Sequence, residues 1–244
     1  GSASSAIPMQ GRMELTDDPC AKMQDRAYAA RQWTCSRYYD VRAFGAVLTT
    51  GPQFGQVRGP VQLAFARSLD PVFPLAVSVN RSSLLQESGT SPSFSRRRAV
   101  AYGLYEARGF ISANLARETG FSEEDRDRLF EAILSMYEYQ RSTNSGQLAV
   151  VSPLILFRHT GTDNDEAQRS RQARLGCAPA HRLFELASVT KKAGVDFPRS
   201  RFDYDARIRL SQTPDGVEIG FFTGRDAPIV WGHLPEGEDW FQAD

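Results

Sequence analysis

Between residues 38 and 112 the chain changes texture every few residues, and this constrains its fold more than any other feature. Residues 38–49 are β-branched and aromatic, with Val41, Ala43 and Gly45 alternating against Arg42, Phe44 and Ala46 as a half-buried strand would. The next ten, Gly51-Pro52-Gln53-Phe54-Gly55-Gln56-Val57-Arg58-Gly59-Pro60, read as a glycine- and proline-dense loop between strands. Residues 61–67 and 75–80 read as further strands. A serine-rich stretch at 82–95 reads as a mobile surface loop or hairpin tip and runs directly into Arg96-Arg97-Arg98. Apolar strand character resumes at 99–105 and at 109–112.

Helical patterns lie on either side of this region. Residues 19–36 are rich in helix formers, with Met23, Ala27, Ala30 and Cys35 as a rough stripe. Residues 122–141 carry the clearest helix. Ser122 is a good N-cap, the acids Glu123, Glu124 and Asp125 occupy the first turn, and Leu129, Ile133, Met136 and Tyr137 line one face beside Phe130 and Leu134. Beyond it, 147–159 reads as a strand, 160–177 as a polar excursion and 180–187 as a short helix. Residues 205–210 and 217–222 read as a hairpin around Thr213-Pro214-Asp215-Gly216, and the last twenty residues as an acidic surface tail. Strands and helices mix without strict β-α alternation, which predicts an antiparallel α+β fold of the ferredoxin-like or RNA-recognition type.

Composition excludes several classes. The chain has 244 residues, 41% hydrophobic and 24% charged, close to the averages for soluble globular protein, so wholesale disorder and collagen-like repeats are disfavoured. No run of about 18 apolar residues occurs, so no membrane-spanning helix is expected. Residues 1–18 read as a tag or flexible lead-in. Cys20, Cys35 and Cys177 match neither a disulfide framework nor a zinc pattern, which points to a reducing, cytoplasmic setting.

Net charge is zero, from 29 basic and 29 acidic residues, but the zero is a sum of opposed regions. Residues 26–117 hold twelve arginines against Asp40, Asp70, Glu87 and Glu106, a net +8; residues 121–244 hold 15 basic and 20 acidic residues, a net −5. Arginine supplies 26 of the 29 basic residues. A guanidinium can fork onto phosphate and stack on a base, which an ammonium cannot. Codon bias accounts for the arginine content as readily, but not for its clustering.

A search for catalytic groups returns little. His159, His181 and His233 stand in unrelated contexts without metal-ligand spacing, and no nucleophile elbow, P-loop or dinucleotide fingerprint occurs, so neither a metal nor a cofactor is expected. For a nuclease only His159 or His181 would serve. Binding signals are stronger. Gln56 and Arg58 sit among glycines, where backbone N–H groups and a guanidinium can approach phosphate, although a plain turn with an exposed arginine fits equally. Arg96, Arg97 and Arg98 fit a clamp on a polyanion or a solvated edge that deters aggregation. Arg42 and Arg108 lie in the same basic region. Tyr38, Tyr39, Phe44, Tyr102, Tyr105 and Phe110 interleave with it, and one or two such rings facing out would stack on unpaired bases.

Several ordered stretches resemble a known family: Tyr38-Tyr39-Asp40-Val41-Arg42-Ala43-Phe44-Gly45, Gly55-Gln56-Val57-Arg58-Gly59-Pro60-Val61-Gln62, Tyr102-Gly103-Leu104-Tyr105-Glu106-Ala107-Arg108-Gly109-Phe110, and Ala178-Pro179-Ala180-His181-Arg182-Leu183-Phe184. Over residues 30–210 they look like the backbone subunit of type I-C CRISPR Cascade, of the Cas-seven group in the RAMP superfamily. The resemblance implies a modified RNA-recognition palm at 19–222 with a thumb at about 82–98, followed by an acidic tail at 223–244. It implies a non-catalytic subunit that binds CRISPR RNA through Arg42, Gln56, Arg58, Arg96, Arg97, Arg98 and Arg108. Its other partners would be copies of itself, other Cascade subunits and, through the guide, target DNA, in the cytoplasm and away from membranes. The family opens with a strand and a basic helix that find no counterpart before residue 19, so the palm is expected to lack its first strand. A metal-independent endoribonuclease acting on repeat RNA, and an interaction module that carries no RNA, are the alternatives. The opposed charges would suit a subunit that stacks on its own copies.

Overall fold

The structure, a computed structural model, describes residues 19–49, 54–81, 93–139, 141–142, 147–224, 227–237 and 241–243. The chain divides into two compact units, Gly1–Gln62 with Ile111–Phe121, and Leu63–Phe110 with Ser122–Asp244. The expected lead-in and first strand before residue 19 lie outside the described residues.

In the first unit the helix α1 (Pro19–Arg37) is followed at once by α2 (Tyr39–Phe44), then by strands β1 (Gly45–Leu48) and β2 (Gly55–Arg58). The strand expected across 38–49 is therefore half helix. The Tyr38 amide donates to Thr34 O at 2.9 Å and the Arg42 amide to Tyr38 O at 3.1 Å, so the backbone keeps its helical bonding past Arg37. Tyr39 and Ala43, four residues apart, turn inward together, which is a helical period that six residues of apolar-polar alternation conceal. The expected 51–60 loop is also shorter. Residues 55–58 pair antiparallel with β1, Gly45 opposite Arg58 and Leu48 opposite Gly55, which places Gln56 and Arg58 on a strand. The chain leaves the unit through β3 (Val61–Leu63) and returns to supply α3 (Ala113–Thr119). Ser112 Oγ caps α3, Gly120 ends it at φ +78°, and α3 packs on α1 and α2. Gln32 Nε2 donates to Glu118 O at 3.0 Å, and the Tyr39 and Phe121 rings meet at 6.4 Å. On α1, Ala27, Ala30 and Cys35 turn in as expected, whereas Met23 is exposed.

The second unit begins with β4 (Arg67–Ser68), which pairs with β7 (Tyr105–Glu106). Between them runs an antiparallel ribbon of β5 (Pro74–Arg81) and β6 (Ser93–Val100), from Pro74 opposite Val100 to Arg81 opposite Ser93. Residues 82–92, most of the expected thumb, lie outside the described residues. The strands expected at 61–67 and 99–105 are each interrupted, at 64–66 and 101–104. After β8 (Gly109–Ile111) and the return to the first unit comes α4 (Glu123–Tyr139). Ser122 caps it as expected: the Asp125 amide donates to Ser122 Oγ at 3.1 Å and the Ser122 amide to Asp125 Oδ2 at 3.0 Å. Its inner face holds Leu129 and Phe130, the latter against Phe222 at 5.6 Å; Met136, expected there, is exposed.

Strand β9 (Leu154–His159) is shorter than the expected 147–159, and the expected polar excursion contains α5 (Glu166–Leu175), capped by Asp165. Then follow α6 (Ala180–Phe184), β10 (Ala187–Lys191), β11 (Tyr204–Ile208), β12 (Val217–Phe222), β13 (Val230–Trp231) and β14 (Phe241–Ala243). The expected hairpin of 205–210 with 217–222 does not form. β12 lies between β9 and β13, while β11 lies between β10 and β14 in another sheet. The reason is burial: Val217, Ile219, Gly220, Phe221 and Phe222 are all buried, which suits a central strand with a neighbour on each edge. β11 and β12 meet through side chains instead, with Ile208, Ile219, Phe221, Leu183 and Leu186 forming one core cluster. The expected acidic tail supplies β13 and β14, and Phe241 is buried. The architecture is α+β with small, mostly antiparallel sheets.

Candidate nucleic-acid interface

In the first unit the β1–β2 hairpin closes an open groove of about 530 Å³. Two glycines make its floor. A Cβ on Gly59 would lie 2.2 Å from the Phe44 carbonyl carbon, and one on Gly45, at φ +85°, would lie 2.4 Å from Val57 O. Backbone therefore crosses backbone where any side chain would force it apart. Around this floor stand Phe44, Val47, Gln56, Arg58, Val61 and Gln62. Val57 turns into the unit, which turns Gln56 and Arg58 outward together. Neither Gln56, Arg58 nor Gln62 has a side-chain partner among the described residues, and Phe44 is 48% exposed. A second cavity, of about 440 Å³ in the other unit, is lined by Leu134, Val150, Ser152 and Arg201. There the cation is engaged: Arg201 Nη1 donates to Val151 O at 3.0 Å and its guanidinium lies over Phe202.

On the β5–β6 ribbon, Arg96, Arg97 and Arg98 stand opposite Ser78, Val77 and Ala76. Successive side chains on a strand point to opposite faces, so Arg96 and Arg98 share one face, over Ser78 and Ala76, while Arg97 shares the other with Val77. All three are exposed and without a hydrogen-bond or ion-pair partner among the described residues. The remaining two candidates are tied down. Arg42 Nη1 donates to Cys35 O at 2.7 Å, satisfying a carbonyl at the end of α1, and its guanidinium lies 5.7 Å from the Tyr39 ring centre. Arg108 Nε donates to Glu106 Oε1 at 2.5 Å and the guanidinium stacks over Phe184 at 4.9 Å.

The sequence matches the family described as CRISPR-associated protein Cas7 over residues 5–209. The chain belongs to the Cas7 family. No curated protein matches it. Membership in the Cas7 family connects the chain to CRISPR-based antiviral defence.

Within this Cas7-family chain some arginines of the other charge region are paired with carboxylates, while Arg169, Arg171, Arg182, Arg207 and Arg209 are as exposed and as free of side-chain partners among the described residues as Arg58 and Arg96 to Arg98. Arg126 pairs with Asp127 at 2.8 Å, Arg128 with Glu124 at 2.5 Å, Arg141 with Glu138 and Arg158 with Glu218. Of the histidines, His159 is half-buried: its Nδ1 accepts from the Cys177 amide at 3.0 Å, and this partial burial pushes its pKa below the ordinary value. His181 is exposed on α6, and His233 Nδ1 lies 3.0 Å from Trp231 O. Among the described residues no group of three metal-ligating side chains comes together, and no helix is long and apolar enough to cross a membrane. Val47 and Gln62 of the groove were not singled out as binding residues by sequence, although Gln62 closes one of the stretches that resemble the family.

Proposed function

We propose that this Cas7-family chain is the backbone subunit of a type I-C Cascade: a non-catalytic cytoplasmic protein that binds CRISPR RNA along its phosphates, stacks on copies of itself and other Cascade subunits, and presents the guide for pairing with target DNA. The observation that carries the reading is a set of exposed arginines without a partner among the described residues in the basic region: Arg58 on the glycine-floored groove and the consecutive Arg96, Arg97 and Arg98 on the ribbon. Exposed, unpaired guanidinium groups, Arg58 on the groove of the first unit and Arg96 to Arg98 on the ribbon of the second, are what a phosphate backbone requires, and such interactions carry no sequence information.

The test is RNA binding across a salt series. Wild type is expected to bind single-stranded guide RNA with affinity that falls steeply as salt rises. Arg58→Ala should weaken it, and the Arg96/Arg97/Arg98 triple alanine variant should flatten the log–log salt slope by about 0.7 for each phosphate that is no longer neutralised. Salt-insensitive binding, or none, refutes the proposal.

A further inference from the structure

The β5–β6 ribbon joins the rest of the second unit through two links, 69–73 and 101–104, and both are fastened at one place. The Leu69 amide donates to Leu104 O at 2.9 Å, and a Cβ on Gly103 would lie 2.8 Å from Tyr105 Cε2 and 3.0 Å from Val72 Cγ1, so the links are pressed together. From the first link, the Asp70 carboxylate accepts a hydrogen bond from the Tyr204 hydroxyl and lies 3.9 Å from Lys191 Nζ. Lys191 ends β10, Tyr204 begins β11, and the two stand directly opposite each other in that ladder. One side chain thus ties the root of the ribbon to two neighbouring strands of another sheet. The second link meets the same spot. Burial, and then the charge of Asp203 beside Tyr204, push the pKa of Tyr102 up. Asp203 is itself held, its Oδ2 accepting from the Arg199 and Ser200 amides at 2.7 and 3.0 Å. Tyr204 is 3% exposed, and burial and the Asp70 carboxylate raise its pKa, which keeps the hydroxyl a donor. Beyond this root, residues 74–78 and 96–100 of the ribbon are exposed on both faces.

We propose that Asp70 is a positioning residue: by holding Tyr204 and Lys191 it fixes the direction in which the ribbon leaves the sheet of β10 and β11, and so where Arg96, Arg97 and Arg98 meet RNA. The lever is long enough for this to matter. Arg96 lies four residues from Val100, about 13 Å along the strand, so a tilt of about 15° at the root moves it by about 3 Å, out of hydrogen-bond reach of a phosphate. A partly buried carboxylate is costly unless it is bonded and paired, and an apolar residue would pack the root without that cost. What the carboxylate adds is direction, because a hydrogen bond weakens when its angle is lost. The inference rests on the RNA-binding reading and adds to it the residue that aims three of the arginines.

The test is a double-mutant cycle read by binding of single-stranded guide RNA. Asp70→Ala, Asp70→Asn and Tyr204→Phe are each made in the wild-type chain and in the Arg96/Arg97/Arg98 triple alanine variant. In the wild-type chain, Asp70→Ala and Tyr204→Phe are expected to weaken RNA binding about tenfold, and Asp70→Asn, which keeps an acceptor for the Tyr204 hydroxyl, to recover most of that loss. In the triple variant the same substitutions should change affinity less than about twofold, because the arginines they aim are gone; a residue that only stabilises the fold costs the same in both backgrounds. Hydrogen exchange at the Leu69 amide should quicken about tenfold in Tyr204→Phe, which keeps the ring and carries the test if Asp70→Ala does not fold. Equal losses in the two backgrounds, wild-type affinity in Tyr204→Phe, or unchanged exchange at Leu69 overturns the inference and leaves RNA binding standing. Failure of the wild-type chain to bind RNA overturns the RNA-binding reading and the inference with it.

Discussion

Thr119, at the end of α3, is a residue whose cost can be read directly. It is 5% exposed, and its hydroxyl has no hydrogen-bond partner among the described residues. A buried hydroxyl left unsatisfied costs about 1–3 kcal/mol. Thr119→Val keeps the shape and removes the hydroxyl, so thermal unfolding should show a stabilisation of about 1 kcal/mol; a lower melting temperature would mean the hydroxyl is bonded. His159 acts in the other direction. Its depressed folded-state pKa means that the unfolded chain binds the proton more readily, so its contribution is complete above about pH 6.5 and is lost as pH falls through the folded value. Melting temperature should drop between about pH 7 and pH 5, and His159→Gln should remove part of that dependence. Residue-scale features were legible where the partner is near in sequence: Ser122 and Asp125 cap one helix from three residues apart. The roles of Arg42 and Arg108 were not, because a helix-end carbonyl at Cys35 and a ring at Phe184 become their partners only after folding.

At the scale of elements, the ribbon of β5 and β6 sorts three consecutive arginines onto two faces. Arg96 and Arg98 overlie small Ser78 and Ala76, whereas Arg97 shares its face with Val77 and Leu75, each about half-exposed. A strand of RNA lying on the small-residue face meets the first pair. Arg96→Ala/Arg98→Ala is therefore expected to flatten the salt slope of RNA binding by about 1.4, and Arg97→Ala to leave it unchanged; the opposite ranking would put the RNA on the apolar face. Elements with their own local signal, α1, α4 and β5, were legible in the sequence; β6 was not, because Ser93 to Arg98 carries serine and arginine instead of an apolar alternation and takes its strand form from pairing with β5. The boundary of α2 was not, since Tyr39 to Phe44 supports helix or strand until Gly45 and Gly59 fix where the backbones cross. The partner of β12 was not either, because choosing β9 over β11 depends on burial from both sides of the sheet.

At the scale of the molecule, the zero net charge is a sum of a basic and an acidic region, and part of the acidic region's charge is already paired within the chain. The acids at the start of α4 read as a negative face for a neighbouring copy, yet Arg126 and Arg128 already meet Glu123, Glu124 and Asp127. Reversing Glu123, Glu124 and Asp127 to lysine should leave self-association in sedimentation velocity unchanged at low and high salt, and lower the melting temperature through the first turn of the helix. A salt-dependent loss of self-association would restore α4 as the face that meets a neighbouring copy. The first unit, finally, is made from two separate stretches of chain, and α3 with Phe121 reaches it only after 63–110 has gone to build the other unit. On the ribosome, at about 5–20 residues per second, α1, α2 and the β1–β2 hairpin are complete several seconds before the helix that covers them exists. The groove-bearing unit is thus made before the helix that packs on it, and a nascent chain stalled shortly before residue 111 would display it to any chaperone or RNA within reach.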